Sequence, residues 1–185
     1  MDISLPHLDD ESLIRQVHDG KHEAFVEIVN RHSRRFYGVA YRLLFSRNDA
    51  EDVVQQAFLK LWERRLFWDQ NKGAKFTTWF YRVVVNLCLD QKRKKRPMPL
   101  PEDMEIVDKR DGQDIMLQNK QKQALLDLFI LELPERQQLA LNLCFYEGLS
   151  NQEAAEIIGI KVKALQSLIM RGKTTLKERL NHHVD

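Results

Sequence analysis

Apolar residues recur along nearly the whole chain at steps of three and four, the period of an amphipathic helix, and strand-like alternation is absent. Residues 9–18 predict a short capped helix closed by Asp19-Gly20. A longer helix follows from about His22 to Phe45, with Phe25, Ile28, Val29, Phe36, Val39, Ala40 and Leu43 as its stripe. Arg31, Arg34, Arg35 and Arg42 flank that stripe. After a turn at 46–48, residues 48–62 place Val54, Ala57, Phe58 and Leu61 at helical spacing, with Asn48 or Asp49 as the expected cap. Glu51 and Asp52 fall in the first turn, where the helix dipole favours anions. A fourth helix is expected from Phe76 to about Arg96, capped by Thr77 or Thr78 and buried through Phe76, Phe80, Val83, Val84 and Leu87. The triple valine at 83–85 is a β-looking patch, but its flanks keep the helical period.

The prolines at 97, 99 and 101 end this first group, since they cannot continue a helix, and an acidic stretch without period follows. Periodicity returns over 114–131 through Ile115, Leu117, Leu125, Leu128 and Phe129. Pro134 marks the start of a further helix, and Glu147-Gly148 its end. Ser150 is placed to cap 151–158, with Gln152 and Glu153 in the first turn, before Gly159 breaks the helix and a last one runs from about Val162 to Leu180. A short helix, a glycine turn and a basic amphipathic helix make the helix-turn-helix pattern, which other helical hairpins share. Ala154, Ala155, Ile158, Ile160, Leu165 and Ile169 would let its two helices cross. The expected fold is all-α: two small helical domains, 8–96 and 114–182, joined by a flexible linker over 97–113.

Charge sharpens this division. The net charge of +2 is made of about +5 on residues 1–96, −4 on 97–116 and +1 on 117–185. Two basic modules around an acidic connector suit a protein that needs a partner to bind DNA well, rather than one that coats DNA by charge. Cys88 and Cys144 each lie in an apolar helical run and read as buried free thiols, and no Cys/His spacing suggests a metal site. No apolar run reaches membrane-spanning length and the N-terminus is acidic, so a cytoplasmic chain without direct membrane contact is expected. Nothing resembles a P-loop, an activated nucleophile or a carboxylate site, so neither enzyme activity nor a cofactor is expected.

The outer face of the fourth helix carries the informative chemistry. Trp79, Arg82, Asn86 and Arg93 fall along one line and lead into the basic run 92–96. An aromatic followed by Arg and Asn suits stacking on an unpaired base while gripping adjacent phosphates; an amphipathic helix with a solvated basic end is the plainer reading. The polar loop before it carries Phe67 and Trp68, which would tuck onto the bundle if the loop is only structural.

Two stretches carry a resemblance. Asp49-Ala-Glu-Asp-Val-Val-Gln-Gln-Ala-Phe-Leu-Lys-Leu-Trp62 followed by Phe76-Thr-Thr-Trp-Phe-Tyr-Arg-Val-Val-Val-Asn86 resembles region 2 of the extracytoplasmic-function (ECF) sigma factors, group 4 of the sigma-70 family. Leu133-Pro-Glu-Arg-Gln137 and Gly148-Leu-Ser-Asn-Gln-Glu-Ala-Ala-Glu-Ile-Ile-Gly159 are similar to region 4 of the same family. The resemblance implies a promoter-recognition subunit of bacterial RNA polymerase that directs it to −35 and −10 elements, in response to an envelope or environmental stress. Glu51, Asp52 and Gln55 would then dock on the β′ clamp helices, while the second domain meets the β flap. Phe67, Trp68, Asn71, Lys72, Lys75, Trp79, Arg82, Asn86 and Arg93 would melt and hold the −10 strand, with a base flipped into the loop pocket. Arg136, Lys163, Ala164, Gln166, Ser167, Met170, Arg171, Lys173 and Lys177 would face the −35 duplex, Gln166 and Arg171 reading bases and Arg136, Lys173 and Lys177 gripping phosphates. An anti-sigma factor, often membrane-bound in this family, is the implied regulator.

One stretch departs from the family. Where members often have Val-Gly-Thr-Val-Lys-Ser-Arg, this chain has Val162-Lys-Ala-Leu-Gln-Ser-Leu168, so two commonly basic positions are Gln166 and Leu168. That change implies a different −35 sequence, a weaker contact, or a Leu168 that packs against another protein. It also motivates a rival reading, a sigma-mimic that sequesters an anti-sigma factor. A decoy, however, has no need of Trp79, Arg82, Asn86 and the 92–96 run. A stand-alone DNA-binding regulator is the other alternative, with Glu51, Asp52 and Gln55 as mere helix-end residues.

Overall fold

In a computed structural model, the described residues are 7–63, 68–69, 73–94, 123 and 125–184, and among them all regular structure is helical. The first group comprises α1 (Asp10–His18), α2 (His22–Leu44), α3 (Arg47–Trp62) and α4 (Phe76–Lys94). The second comprises α5 (125–131), α6 (Glu135–Leu141), a π-helical turn over Asn142–Tyr146, α7 (Asn151–Ile158) and α8 (Val162–Val184).

Helix starts follow the local chemistry, with two corrections. The Asp9 carboxylate caps α1 by accepting the Ser12 N–H at 2.7 Å. α3 is capped by Ser46, not by Asn48 or Asp49: the Ser46 hydroxyl accepts the Asp49 N–H at 3.3 Å. The cause lies one residue earlier. Phe45 closes α2 in the left-handed conformation, φ 51°, which throws Ser46 into the extended geometry a cap requires and leaves Asn48 and Asp49 already helical. Asp49 is buried instead and accepts from Gln91 Nε2 at 3.2 Å, tying α3 to α4. The second correction concerns α4, which begins at Phe76, so that Thr77 and Thr78 lie inside its first turn and Thr78 is buried.

An aromatic pile forms the centre of the first group. Phe36 meets Phe80 at 4.8 Å and Tyr81 at 4.9 Å between ring centroids, and Phe58 meets Phe80 at 5.0 Å. Each such ring contributes roughly 1.5–3 kcal/mol by leaving water, plus a smaller term for edge-to-face geometry. The buried arc of α4 is wider than one stripe. Tyr81, Val85 and Cys88 are buried with Phe76, Phe80 and Val84, while Val83 and Leu87 are half-buried. α4 packs on α2 and α3 with one flank and on α7 with the other, so a single-faced pattern understates its burial.

The second group continues the same core. Leu139, Ala140, Leu143, Ala154, Ala155, Ile157 and Leu165 join the apolar cluster of the first group, and Ile130, Leu133, Leu141 and Leu176 form a smaller one. Ser150 makes a full capping box on α7: its hydroxyl accepts the Glu153 N–H at 3.2 Å, and Glu153 accepts the Ser150 N–H at 3.0 Å. Gly159 follows at φ 75°, a backbone that suits glycine, and turns the chain into α8.

Candidate nucleic-acid interface

The line foreseen on α4 is present on its outer side. Arg82, Asn86 and Arg93 are exposed, and Trp79 is half-buried against Phe76 and Phe80, both at 6.0 Å. Arg93 lies 3.5 Å from Asp90 one turn earlier. Lys75 is exposed at the mouth of the same helix. Packing of Phe76 and Phe80 into the aromatic pile fixes the rotation of α4 and so aims this line away from the core.

Trp68 does not join it. It is 5% exposed, its Nε1–H donates to the Ala74 carbonyl at 3.0 Å, and its ring meets Phe76 edge-on at 6.2 Å. Trp68, to which the resemblance gives a −10 role, is thus buried against Phe76, the placement expected of it if the loop is only structural. An apolar ring with one N–H is satisfied by a single carbonyl, which makes burial the favoured outcome. Phe67, Asn71 and Lys72, and the linker 97–113, lie outside the described residues.

A groove of about 700 Å³ opens between α2 and α3, lined by Phe25, Val29, Tyr37, Val54, Phe58 and Leu59 with Glu51, Gln55 and Arg34 at its rim. Glu51, Asp52 and Gln55 are all exposed, and Leu59 is 50% exposed beside them. The trough is apolar and its rim is polar with both signs of charge, the composition of a protein-binding surface.

On the second group, α8 presents Lys163, Ala164, Gln166, Met170, Arg171, Lys173 and Lys177 as exposed residues, with Ser167 half-buried. Ser167 and Arg171 are steadied by the helix itself: the Ser167 hydroxyl donates to the Lys163 carbonyl at 3.0 Å, and Arg171 Nε to the Ser167 carbonyl at 3.3 Å. Leu165 is fully buried under them. Leu168, the residue that departs from the family pattern, is half-buried against the chain's own core. Lys173 sits 4.4 Å above the Phe145 ring, and Arg136 is exposed on α6. No group of His, Cys, Asp and Glu suited to a metal occurs among the described residues. Cys88 and Cys144 are both free; burial pushes the Cys88 thiol up to about 12 and raises that of the half-buried Cys144.

The sequence reading missed one cluster. Glu147 receives Arg35 Nε at 3.1 Å, the Tyr81 hydroxyl at 2.6 Å and the Arg42 guanidinium, all from the first group. Burial, and then the Glu147 carboxylate beside it, push the Tyr81 hydroxyl far above its usual range, so it stays a donor. The signal available in the sequence was only a set of arginines flanking the stripe of α2.

Two family matches cover the surfaces just described: Sigma-70 region 2 over residues 28–97, and Sigma-70, region 4, over residues 123–176. The ECF RNA polymerase sigma factor SigW of Bacillus subtilis is 30% identical, over 90% of this chain and 94% of its own length. The chain belongs to the ECF sigma factors. Among solved structures, CnrH in complex with the cytosolic domain of CnrY has the same fold at 24% identity, with a TM-score of 0.71 over 94% of this chain and 97% of that one. The sigma factor RpoE of Bartonella quintana, in complex with the anti-sigma factor NepR, matches at 20% identity and a TM-score of 0.64, over 85% and 96%. As an ECF sigma factor the chain is a transcription initiation factor of the alternative class.

Proposed function

We propose that this ECF sigma factor acts in the cytoplasm by docking core RNA polymerase on the α2/α3 groove and holding one strand of the opened −10 element along α4. The observation that carries this reading is the line of Arg82, Asn86 and Arg93, exposed beside a half-buried Trp79 on a helix whose opposite side is locked into the aromatic core. Stacking on an aromatic contributes about 1–3 kcal/mol per base, and the two arginines supply phosphate contacts without choosing a sequence. Asn86, with a donor and an acceptor in one amide, is suited to a base edge.

The chain works as two modules, 8–96 and 114–182, tethered through 97–113. In the second, α8 lies in the major groove of the −35 element. Gln166 and Arg171 read base edges, and Arg136, Lys173 and Lys177 hold phosphates. A glutamine where relatives often carry a base shifts readout towards adenine and reduces the phosphate term. An anti-sigma factor binds and regulates it; the similar RpoE is found in complex with the anti-sigma factor NepR.

Glu51, Asp52 and Gln55 meet basic residues of the β′ clamp helices across the groove rim. The test is the affinity of core polymerase for the wild-type chain and for Asp52→Arg, with circular dichroism as the folding control. Charge reversal at this exposed position beside the groove is expected to weaken binding about tenfold with the helical signal unchanged, which corresponds to about 1.4 kcal/mol of interface electrostatics. Unchanged affinity removes the docking assignment.

A further inference from the structure

We propose that this chain holds itself closed without a partner: Glu147 is a latch, seated in a socket of Arg35, Arg42 and Tyr81, and while it is seated the second helical group covers part of the strand-holding side of α4. The proposal rests on reading α4 as the strand-holding helix.

The latch is built rather than incidental. The Glu147 side chain is 5% exposed, and a carboxylate is tolerated at such depth only when it is paired and hydrogen-bonded. It has that pairing: Arg35 Nε at 3.1 Å, the Arg42 guanidinium, and the Tyr81 hydroxyl at 2.6 Å. Its backbone carbonyl accepts a second Arg35 donor at 2.9 Å. All of these donors come from α2 and α4, between 66 and 112 positions away in sequence. Two stacked contacts brace the socket, Arg42 over the Tyr146 ring at 4.9 Å and Arg35 over the Tyr81 ring at 5.4 Å. The π-turn over Asn142–Tyr146 delivers Tyr146 and Glu147 to this place, and such wide turns are often found where a helix has been altered for a purpose.

Seating Glu147 has a consequence for α4. The Arg82 guanidinium donates to the backbone carbonyl of Glu156, and the Lys75 ammonium lies 4.0 Å from the Glu153 carboxylate. Lys92 donates to Gln138 Oε1 at 3.4 Å and is desolvated beneath α6. Three cations of the strand-holding side thus face acceptors on α6 and α7, and a phosphate must displace those acceptors to reach them. The α2/α3 groove and the outer side of α8 stay open, so polymerase docking does not require release, whereas reading a promoter does.

Geometry makes release obligatory. Elements centred at −10 and −35 lie about 25 base pairs apart, roughly 85 Å at about 3.4 Å per pair. A compact chain of 185 residues has a radius of gyration of only about 16 Å. With α4 against α7, both elements cannot be read at once.

The test is small-angle scattering of the free full-length chain, with circular dichroism alongside, for wild type, Glu147→Lys and Arg35→Ala. Arg35 is 45% exposed on the outside of α2, so its truncation leaves the core intact. Wild type is expected near 16 Å, and both variants at about 20 Å or more with unchanged helicity, since separated modules add their spacing to the radius. A wild-type radius already above 20 Å, or variants indistinguishable from wild type, overturns the latch. Run-off transcription with core polymerase separates the two claims. Transcripts from a chain whose radius ignores both substitutions remove the latch alone; opening of the variants with no transcripts from any of them leaves the latch standing and removes the sigma reading of α4.

Discussion

The Tyr81 hydroxyl donates to Glu147 Oε2 at 2.6 Å across 66 positions of sequence, joining the aromatic core of the first helical group to the turn that begins the helix-turn-helix. Tyr81 is 1% exposed, so its ring belongs to the core while its oxygen serves the interface. Tyr81→Phe keeps the ring and removes the donor. A hydrogen bond to a charged acceptor contributes about 1.5–3 kcal/mol, and the two arginines that remain place the expected loss near the lower figure. Urea unfolding reads it: a fall in unfolding free energy of that size is expected with helicity intact, and no fall contradicts the assigned bond.

Trp68 separates a core role from a DNA-contacting one. Trp68→Ala is expected to destabilise the chain by roughly 3 kcal/mol, as for other large-to-small aromatic changes in a core. Trp68→Phe keeps most of the volume and loses only the bond to the Ala74 carbonyl, so it is expected to lose far less. Thermal unfolding of the two variants decides between the roles. Equal stability of Trp68→Ala and wild type returns Trp68 to the exposed loop surface.

Much of this architecture is legible in the sequence, because caps and periodicity are local. Asp9, Ser150, Gly159 and the stripe of α2 all lie where pattern alone puts them. What escapes is set by neighbours distant in sequence. The α3 cap moves to Ser46 because Phe45 turns left-handed, and no periodicity rule reports that. Tyr81, Val85 and Cys88 are buried because α4 packs against α2, α3 and α7 at once, which is tertiary and not local. Glu147 read as a helix-end residue; its role depends on arginines 105 and 112 positions earlier. Leu168, for which packing against another protein was one of three alternatives, is partly covered by this one.

The capping box on α7 predicts a local effect with a functional readout. Ser150 holds the Glu153 carboxyl below its usual range through its hydroxyl and backbone N–H. Ser150→Ala is expected to lower stability by about 1 kcal/mol, the usual loss for an N-cap. Because α7 supports α8, binding of a −35 duplex by the polymerase complex should weaken in parallel. Stability falling with no change in duplex binding would show that α7 does not set the position of α8.

Acid sensitivity is expected at the α1–α2 junction. The His32 hydrogen bond, followed by its charge and the Arg31 guanidinium, holds the Asp10 carboxyl below its usual range against the opposing effect of burial. A carboxyl lowered on folding contributes stability above its unfolded value of about 3.9, and that contribution is lost as pH falls through the folded value. Urea midpoints at pH 6 and near pH 3 should therefore converge for wild type and Asp10→Asn at the acid end, with wild type the more stable at pH 6. A constant gap between the two across this range would contradict the assignment.

The central claim is that α4 opens and holds promoter DNA for a polymerase docked on α2 and α3. Run-off transcription on fragmented genomic DNA from the source organism tests it most directly, using core RNA polymerase with the wild-type chain or with Arg82→Ala combined with Asn86→Ala. Discrete transcripts dependent on the wild-type chain are expected, lost in the double variant and restored on templates opened beforehand across the −10 element. Transcripts undiminished by the double variant on closed templates would contradict the account.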